Sequence, residues 1–213
     1  EPLRYNRIQE ETLDAMWGAI SAEKQPFVDF LNRKAKMMGK DKLAWYDVDA
    51  PVSIGDFEAR TFSYDEAVDF IVENFAKFGP TLANFSQEIV DKKWIEAEDR
   101  AGKRPGGYCT SLPETKESRI FMTFTGSASD MSTLAHEIGH AFHSYTLWDL
   151  PRMNTRYAMN VAETASTFAE TLVSSATVEA AQTEEEKISL LNTKLENATA
   201  MFMNIHARFL FEK

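Results

Sequence analysis

Residues 133–143 read TLAHEIGHAFH and contain the pattern His-Glu-x-x-His. On a helix, side chains four positions apart lie on the same face, so the imidazoles of His136 and His140 can converge on one metal ion. Glu137 lies about 100° further round the helix, where its carboxylate can accept a proton from a water molecule beside that ion. The pattern therefore predicts a helix that carries two zinc ligands and a general base.

The surrounding residues favour a helix with one buried face. Gly139 lowers helix propensity by about 1 kcal/mol relative to alanine, which indicates that another segment approaches the backbone closely there. The alternative is an ordinary buried helix whose histidines are hydrogen-bonded. Apolar residues recur at helical spacing away from the histidines, at Met131, Leu134, Ala135, Ile138, Phe142 and Tyr145.

A third ligand is expected further along the chain. A catalytic zinc ion commonly takes three protein ligands, and two histidines with one glutamate form one such set. Glu163 is the candidate, since a glutamate buried among the alanines of residues 160–166 needs a cation to offset its desolvation. Glu170 and His143 are candidates for hydrogen bonds that orient the ligand histidines, and for Glu170 an exposed acid is the alternative.

The composition is typical of a globular protein, and the negative net charge disfavours binding to polyanions. The chain has 213 residues, 44% of them hydrophobic and 26% charged, enough for one domain or one and a half. Its net charge of −10 disfavours nucleic acid and anionic membranes as partners, and no apolar run is long enough to span a membrane. The single cysteine, Cys109, excludes an internal disulfide and fits a reducing compartment. The start EPLR lacks an initiator methionine, so we expect a piece of a longer chain.

Helices are expected on both sides of the metal helix. Pro26 and Pro80 suit first helical turns, Gly39 suits a helix end, and residues 63–66 form a capping box. Residues 1–98 are expected to be a helical region and residues 99–213 the zinc-site region. The predicted helices cover residues 5–24, 26–38, 63–78 and 80–93 before the site, and 155–180 and 183–213 after it.

Some residues outside this pattern are expected to be packed rather than functional. Residues 41–51 lack a helical period and predict a loop or short strand, with Trp45 and Tyr46 in aromatic packing. Cys109 is expected to be a small packed residue, and His206 a packed or solvated histidine on the last helix.

Two segments ahead of the metal helix are candidates for substrate contact. The glycine-rich residues 99–109 predict a functional or hinge loop, with a plain surface turn as the alternative. Residues 118–125 predict a strand that ends at Gly126, and a peptide could pair with its free edge. An inner strand of a small sheet is the alternative. The candidate contacts are Gly107, Tyr108, Phe121, Met122 and Thr123.

Four segments together resemble one enzyme family. They are AHEIGHAFH at residues 135–143, AETASTF at 162–168, KLAWYDVDAP at 42–51 and GKRPGGY at 102–108. The chain is similar to the oligoendopeptidase F branch of the thimet oligopeptidase family. The resemblance implies a cytoplasmic zinc endopeptidase that cuts short peptides in a deep channel between mostly helical halves. It also implies that His136, His140 and Glu163 bind one zinc ion and that Glu137 is the base.

The resemblance covers only the central part of such an enzyme. Family members are much longer and carry a further loop whose histidine and tyrosines stabilise the tetrahedral oxyanion. We therefore expect a mainly α fold, with zincin-like catalytic helices and one short strand or small sheet, and the remainder of the enzyme as a missing partner. The predicted function is hydrolysis of peptide bonds in short oligopeptides. The alternatives are a metal-binding but catalytically incompetent chain and a helical module with a vestigial site, and the same ligands also suit cobalt or manganese.

Overall fold

The computed structural model describes residues 2–52 and 60–212, and α-helices make up most of them, as predicted. Glu1, residues 53–59 and Lys213 lie outside the described residues, so the predicted end of the last helix at Lys213 does too. None of the described helices combines the length and the hydrophobicity that crossing a lipid bilayer requires.

The chain forms two compact units. The first joins Glu1–Glu58 to Ala181–Lys213, and the second is Ala59–Ala180. The sequence-based division into residues 1–98 and 99–213 follows the order of the motifs instead, and it stays a prediction.

The N-terminal helices of the first unit differ from the sequence prediction at one point. The expected helix over residues 5–24 is divided, because Arg7 adopts a left-handed φ of 56° that no continuing α-helix allows. Pro26 lies in the first turn of a helix, and Gly39, at a φ of 69°, follows the end of the same helix, both as predicted. The helices are α1 (Pro2–Asn6), α2 (Glu10–Ala22) and α3 (Gln25–Met37).

The first unit ends in a long helical segment whose start was predicted correctly. Thr183 caps it, since the Thr183 hydroxyl accepts a hydrogen bond from the Glu186 N–H at 3.1 Å. His206 is a packed residue, as expected, because its ring stacks on Trp17 with centroids 4.2 Å apart. A π-helical turn that the sequence did not indicate interrupts the segment, which comprises α8 (Glu184–Thr199), the π turn (Ala200–Asn204) and α9 (Ile205–Glu212).

The aromatic residues of the expected loop over residues 41–51 do not pack as predicted. The loop contains a single 3-10 turn, Trp45–Asp47, and the two rings are 72% and 81% exposed at Trp45 and Tyr46. Polar contacts hold the turn instead, because the Asp47 carboxylate accepts hydrogen bonds from the Ala44 N–H at 2.8 Å and from Lys40. The prediction of aromatic packing is therefore wrong.

The second unit begins with a helical hairpin that confirms the sequence prediction. Helices α4 (Tyr64–Phe78) and α5 (Pro80–Asp91) are joined only by Gly79. The Ser63 hydroxyl accepts from the Glu66 N–H at 3.2 Å, and the Ser63 N–H donates to the Glu66 carboxylate at 2.8 Å. This reciprocal pair is the predicted capping box.

A three-stranded sheet follows, with strands β1 (Ile95–Glu96), β2 (Gly107–Leu112) and β3 (Glu117–Met122). The order is β1-β3-β2, with β1 parallel and β2 antiparallel to β3. The predicted strand is present as β3, but the prediction that it lends a free edge to substrate is wrong, because both of its sides are paired. The edge strands of the described sheet are β1, which has only two residues, and the six-residue β2, which the sequence placed partly in a loop.

Two helices complete the second unit and hold the predicted ligands. Helix α6 (Ala128–Leu147) begins at Ser127, whose hydroxyl accepts from the Asp130 N–H at 3.0 Å. Its predicted apolar stripe is buried at Met131, Leu134, Ala135 and Ile138. Helix α7 (Thr164–Glu179) starts later than the predicted Thr155. Extended backbone at Arg156 and Ala158 separates two 3-10 turns there, Arg152–Thr155 and Met159–Val161.

Candidate metal centre

The two predicted histidine ligands lie together on one face of α6. The rings of His136 and His140 have centroids 4.9 Å apart, as the four-residue spacing requires. Both side chains are partly exposed, at 24% and 22%. An ion can therefore reach their Nε2 atoms from outside the helix.

Gly139 explains how α7 comes so close to these histidines. A Cβ atom at Gly139 would lie 2.7 Å from the carbonyl oxygen of Ala165 and 2.7 Å from the Cα of Ser166. Real Cβ atoms do not approach backbone so closely, so α7 can cross α6 here only because residue 139 has no side chain. The prediction of a close backbone approach at Gly139 is confirmed.

This crossing places Glu163, the residue that immediately precedes α7, over the two histidines. The Oε2 atom of Glu163 lies 3.2 Å from Nε2 of His136 and 3.2 Å from Nε2 of His140. The Ser166 hydroxyl donates to the same Oε2 at 2.7 Å and so fixes the carboxylate. The Glu163 side chain is 60% exposed, so the expected burial among alanines is wrong: the residue ends an irregular segment and its carboxylate faces open space.

The spacing of these three donor atoms fits a zinc ion. Two ligand atoms that each lie about 2.0 Å from one ion, at tetrahedral angles, stand about 3.3 Å apart. The two nitrogen-to-oxygen distances of 3.2 Å match this value. All three ligand atoms lie within 4.8 Å of one another, and imidazole with carboxylate is a donor set that zinc accepts.

Glu170 lies where the sequence analysis placed it, against a ligand histidine. Its Oε2 is 3.2 Å from Nδ1 of His136, and this hydrogen bond raises the pKa of His136. A proton held on Nδ1 by a carboxylate leaves Nε2 as the free lone pair, which is the atom that faces Glu163.

The Glu137 side chain projects towards the sheet. A Cβ atom at Gly107 would lie 3.2 Å from Cγ and 3.2 Å from Oε1 of Glu137, so the first residue of β2 borders this carboxylate. Burial raises the pKa of Glu137, the positive charge of His136 opposes this effect, and the negative charge of Glu163 adds to it. Within the described part of the chain, the Glu137 carboxylate has no hydrogen-bonding or ion-pair partner, so it is free to accept a proton.

The side chains of His136, Glu137, His140 and Glu163 line one open cavity of about 460 Å³. Strand β2 forms one wall of the cavity, helix α6 forms its floor, and the segment that leads to α7 forms the other wall. Its lining residues are Gly107, Tyr108, Cys109, Thr110, Ser111, His136, Glu137, His140, Ser144, Tyr157, Ala162 and Glu163.

Other predicted site residues lie outside this arrangement. His143 does not make the predicted hydrogen bond to a ligand histidine: its ring stacks on Tyr157 with centroids 4.5 Å apart, and its Nδ1 has no partner among the described residues. Phe121, Met122 and Thr123 do not line the cavity, because β3 is the middle strand. The predicted contacts Gly107 and Tyr108 do line it.

Tyr157 and Ser166 were not predicted as site residues from the sequence. The prediction that Cys109 is a packed residue is confirmed. Ser166 lies one helical turn after Glu163, so a check of i, i+3 hydrogen-bonding pairs would have found it. No sequence signal marked Tyr157. Burial raises the pKa of the Cys109 thiol to about 12, with the Glu137 charge adding to the effect, so the thiol is not a nucleophile at neutral pH.

The fold of the chain is that of known peptidase structures. A putative peptidase from Chlamydophila abortus matches with a TM-score of 0.77 and 24% identity, over 93% of this chain and 33% of that one. The structure of PZ peptidase A with inhibitor 2 matches with a TM-score of 0.70 and 22% identity, over 88% and 34%. The chain thus has the architecture of one third of these larger molecules.

Sequence comparison assigns the family. The model of peptidase family M3 matches residues 10–213, and the chain belongs to this family. Chromosomal oligoendopeptidase F of Lactococcus lactis subsp. cremoris is 28% identical over 92% of this chain and 32% of that protein. Oligopeptidase PepF of Bacillus subtilis is 28% identical over 91% and 29%. The chain therefore spans about a third of the length of these relatives.

Proposed function

We propose that the chain carries the catalytic centre of a zinc-dependent metalloendopeptidase that hydrolyses short oligopeptides. The observation that carries the proposal is the position of Glu163 Oε2, 3.2 Å from the Nε2 atoms of both His136 and His140. Membership of peptidase family M3 and the oligopeptidase names of the relatives support it. We also propose a cytoplasmic location, without nucleic-acid or membrane partners.

In this proposal each residue of the site has one task. His136, His140 and Glu163 hold the ion, and Glu170 keeps the His136 ring oriented through Nδ1. A bound zinc ion would polarise the peptide carbonyl and lower the pKa of a water molecule towards neutrality. Glu137 takes the proton of that water on its free carboxylate and later donates it to the leaving amine.

The open edge of β2 offers a place for the substrate backbone. The Thr123 N–H donates to the Gly106 carbonyl at 3.1 Å, so residues 106, 108, 110 and 112 direct their backbone groups towards β3. The backbone groups of Gly107, Cys109 and Ser111 then point away from the sheet, along the wall of the cavity. An extended peptide can add there as a further strand.

Substitution of the base tests the proposal. Glu137→Gln should leave zinc stoichiometry near one ion per chain and lower hydrolysis of an internally quenched peptide by about 100-fold or more. Glu73→Gln, an exposed acid on α4, is the matched control and should change neither quantity. Absence of zinc from the wild-type protein, or undiminished turnover in Glu137→Gln, would contradict the proposal.

The second candidate is a metal-binding role without turnover by this chain alone. It is favoured by the length of the relatives, since the chain spans only 32% of the Lactococcus lactis oligoendopeptidase F. The donors that stabilise the transition state would then come from elsewhere, and loss of one such donor can cost about 10²–10³ in rate. Stoichiometric zinc with no cleavage of the quenched peptide by the wild-type chain is the expected result for this candidate.

A further inference from the structure

A second cavity, of about 590 Å³, lies at the start of β2 and is not part of the metal centre. Residues 100–108 of the glycine-rich loop and the ring of Phe121 enclose it. Its lining contains three basic side chains and no carboxylate, although the whole chain carries a net charge of −10. The basic residues are Arg100, Lys103 and Arg104.

Two of these cations form the wall of the cavity. The ammonium group of Lys103 lies 2.8 Å from Glu96 Oε2 and donates to the Glu98 carbonyl at 2.7 Å, and its side chain is only 2% exposed. Arg100 pairs with Glu96 at 2.7 Å and, more loosely, with Glu98 at 3.5 Å. Lys103 also lies 4.4 Å above the Phe121 ring. These contacts tie the loop to the sheet, so the loop has a defined shape despite its glycines.

Arg104 is the cation that remains available. It is exposed, and within residues 2–52 and 60–212 no carboxylate pairs with it. Its backbone is fixed, because the Thr123 hydroxyl donates to the Arg104 carbonyl at 2.8 Å. A guanidinium on a fixed backbone beside an open cavity suits the bidentate binding of a carboxylate.

For a peptide that adds antiparallel to β2, the direction of β2 determines which part of the peptide reaches Arg104. A peptide that pairs antiparallel with β2 runs from Ser111 towards Gly107, so its C-terminal half lies near Gly107. The base, Glu137, also borders Gly107. The cavity, which begins at Gly107 and Tyr108 and extends back along the chain to Arg100, is therefore on the C-terminal side of the bond that is cleaved, and Arg104 precedes Gly107 by three residues.

We infer that this cavity is a carboxylate subsite, with Arg104 as its specificity-determining residue. Its ligand is a carboxylate two or three residues beyond the cleaved bond, either the C-terminal carboxylate of a short peptide or an acidic side chain. The inference rests on the proposed function, because it takes the substrate to lie along β2.

Binding of hydrolysis-resistant peptides tests the subsite without depending on turnover. Fluorescent peptides in which the cleaved amide is replaced by a reduced bond are prepared with one, two or three residues beyond that bond. Each is made with a C-terminal carboxylate and with a C-terminal amide. We expect the zinc-loaded protein to bind the acid form at least about fivefold more tightly than the amide when two or three residues follow the bond, and salt should reduce this ratio.

Variants assign the preference to Arg104. Arg104→Gln should bring the acid-to-amide ratio close to one, and Arg104→Lys should restore part of it, because lysine keeps the charge but loses the bidentate geometry. Lys116→Asn removes a cation at the opposite end of β2, where asparagine tolerates the φ of 52°, and should keep the wild-type ratio. Equal binding of acid and amide by the wild-type protein, or an unchanged ratio in Arg104→Gln, overturns the inference.

A second pair of peptides distinguishes the two sources of the carboxylate. Amidated peptides with aspartate or asparagine as the second or third residue beyond the reduced bond are compared. A preference for aspartate supports an acidic side chain as ligand, whereas a preference confined to the free C-terminus supports a subsite for short peptides. If no peptide binds, the inference fails, and the zinc content of the same sample shows whether the metal centre of the proposed function remains.

Discussion

At the scale of single residues, Gly139 has the most direct structural effect on the metal centre. Alanine at this position would gain about 1 kcal/mol of helix propensity. Its methyl group would also meet the Ala165 carbonyl and the Ser166 Cα at 2.7 Å, and backbone atoms cannot rotate away. Overpacking of this kind costs about 1–3 kcal/mol, so the unfavourable effect wins.

We therefore expect Gly139→Ala to lower the free energy of unfolding and to weaken zinc binding, because Glu163 moves with α7. Urea unfolding and zinc titration measure the two effects. Gly18→Ala is the matched control: Gly18 lies inside α2 with nothing within 4 Å of its added Cβ, and alanine should stabilise it by about 0.5–1 kcal/mol. Equal stabilisation by both substitutions would show that α7 does not press on Gly139.

Glu170 gives a second prediction at this scale. Glu170→Gln keeps the shape of the side chain but removes the charge that holds the proton on His136 Nδ1. Zinc affinity, measured by competition with a chromogenic chelator, should fall by about 10–100-fold. Glu179→Gln, an exposed acid on the same helix, should leave it unchanged. A Glu170→Gln variant with wild-type zinc affinity would mean that the Glu170 charge does not contribute to zinc binding.

The sequence indicated which residues come together in the candidate metal centre, but it was less informative about their surroundings. Fixed spacing on a helix placed His136, Glu137 and His140 relative to one another, because backbone geometry alone determines that relation. Glu163 was chosen for its expected burial, yet its carboxylate is open to solvent. Burial depends on how the segment before α7 turns, and that segment consists of two 3-10 turns joined by extended backbone, which no local pattern indicated.

At the scale of whole elements, the N-terminus of α6 carries a cap that responds to pH. The Asp130 carboxylate accepts hydrogen bonds from the Thr125 hydroxyl at 2.6 Å, the Thr125 N–H at 2.9 Å and the Ser127 N–H at 3.1 Å. Burial alone would raise the pKa of Asp130, but these hydrogen bonds outweigh it and lower the pKa.

A lowered pKa in the folded state makes the cap a source of stability above the unfolded pKa of about 3.9. This contribution is lost as the pH falls through the lower, folded value. We expect Asp130→Asn to destabilise the protein by about 1 kcal/mol at pH 7 and to have almost no effect once Asp130 is protonated in the folded wild type. Urea unfolding at a series of pH values measures the difference, with exposed Asp69→Asn on α4 as control. A difference independent of pH would exclude the charge as its source.

The sheet was the least predictable element. The strand predicted over residues 118–125 was found as β3, because this stretch is rich in β-forming residues and ends before Gly126. Strand β2 begins with Gly107 after a glycine-rich loop, carries few β-branched residues and looks locally like a turn. Only its pairing with β3 makes it a strand, and strand order is a long-range property that no local pattern encodes.

At the scale of the whole molecule, the three residues that could hold a metal ion all come from the second unit, Ala59–Ala180. The sequence prediction of two consecutive regions could not anticipate that the first unit combines the two ends of the chain. Local periodicity defines helices, but it does not say which helices share a core. The resemblance to a known family supplied the mainly α class, and the comparisons with solved structures confirm it.

Because every ligand belongs to one unit, zinc should protect that unit selectively. A ligand that binds only the folded state at about 1,000 times its Kd stabilises that state by about 4 kcal/mol. Hydrogen exchange with and without zinc should therefore slow in α6 and α7, and change far less in α8 and α9. Glu163→Gln serves as the control that removes a ligand, and it should abolish most of the added protection. Equal protection of all these helices, or protection that persists in Glu163→Gln, would mean that the ion binds somewhere other than between α6 and the start of α7.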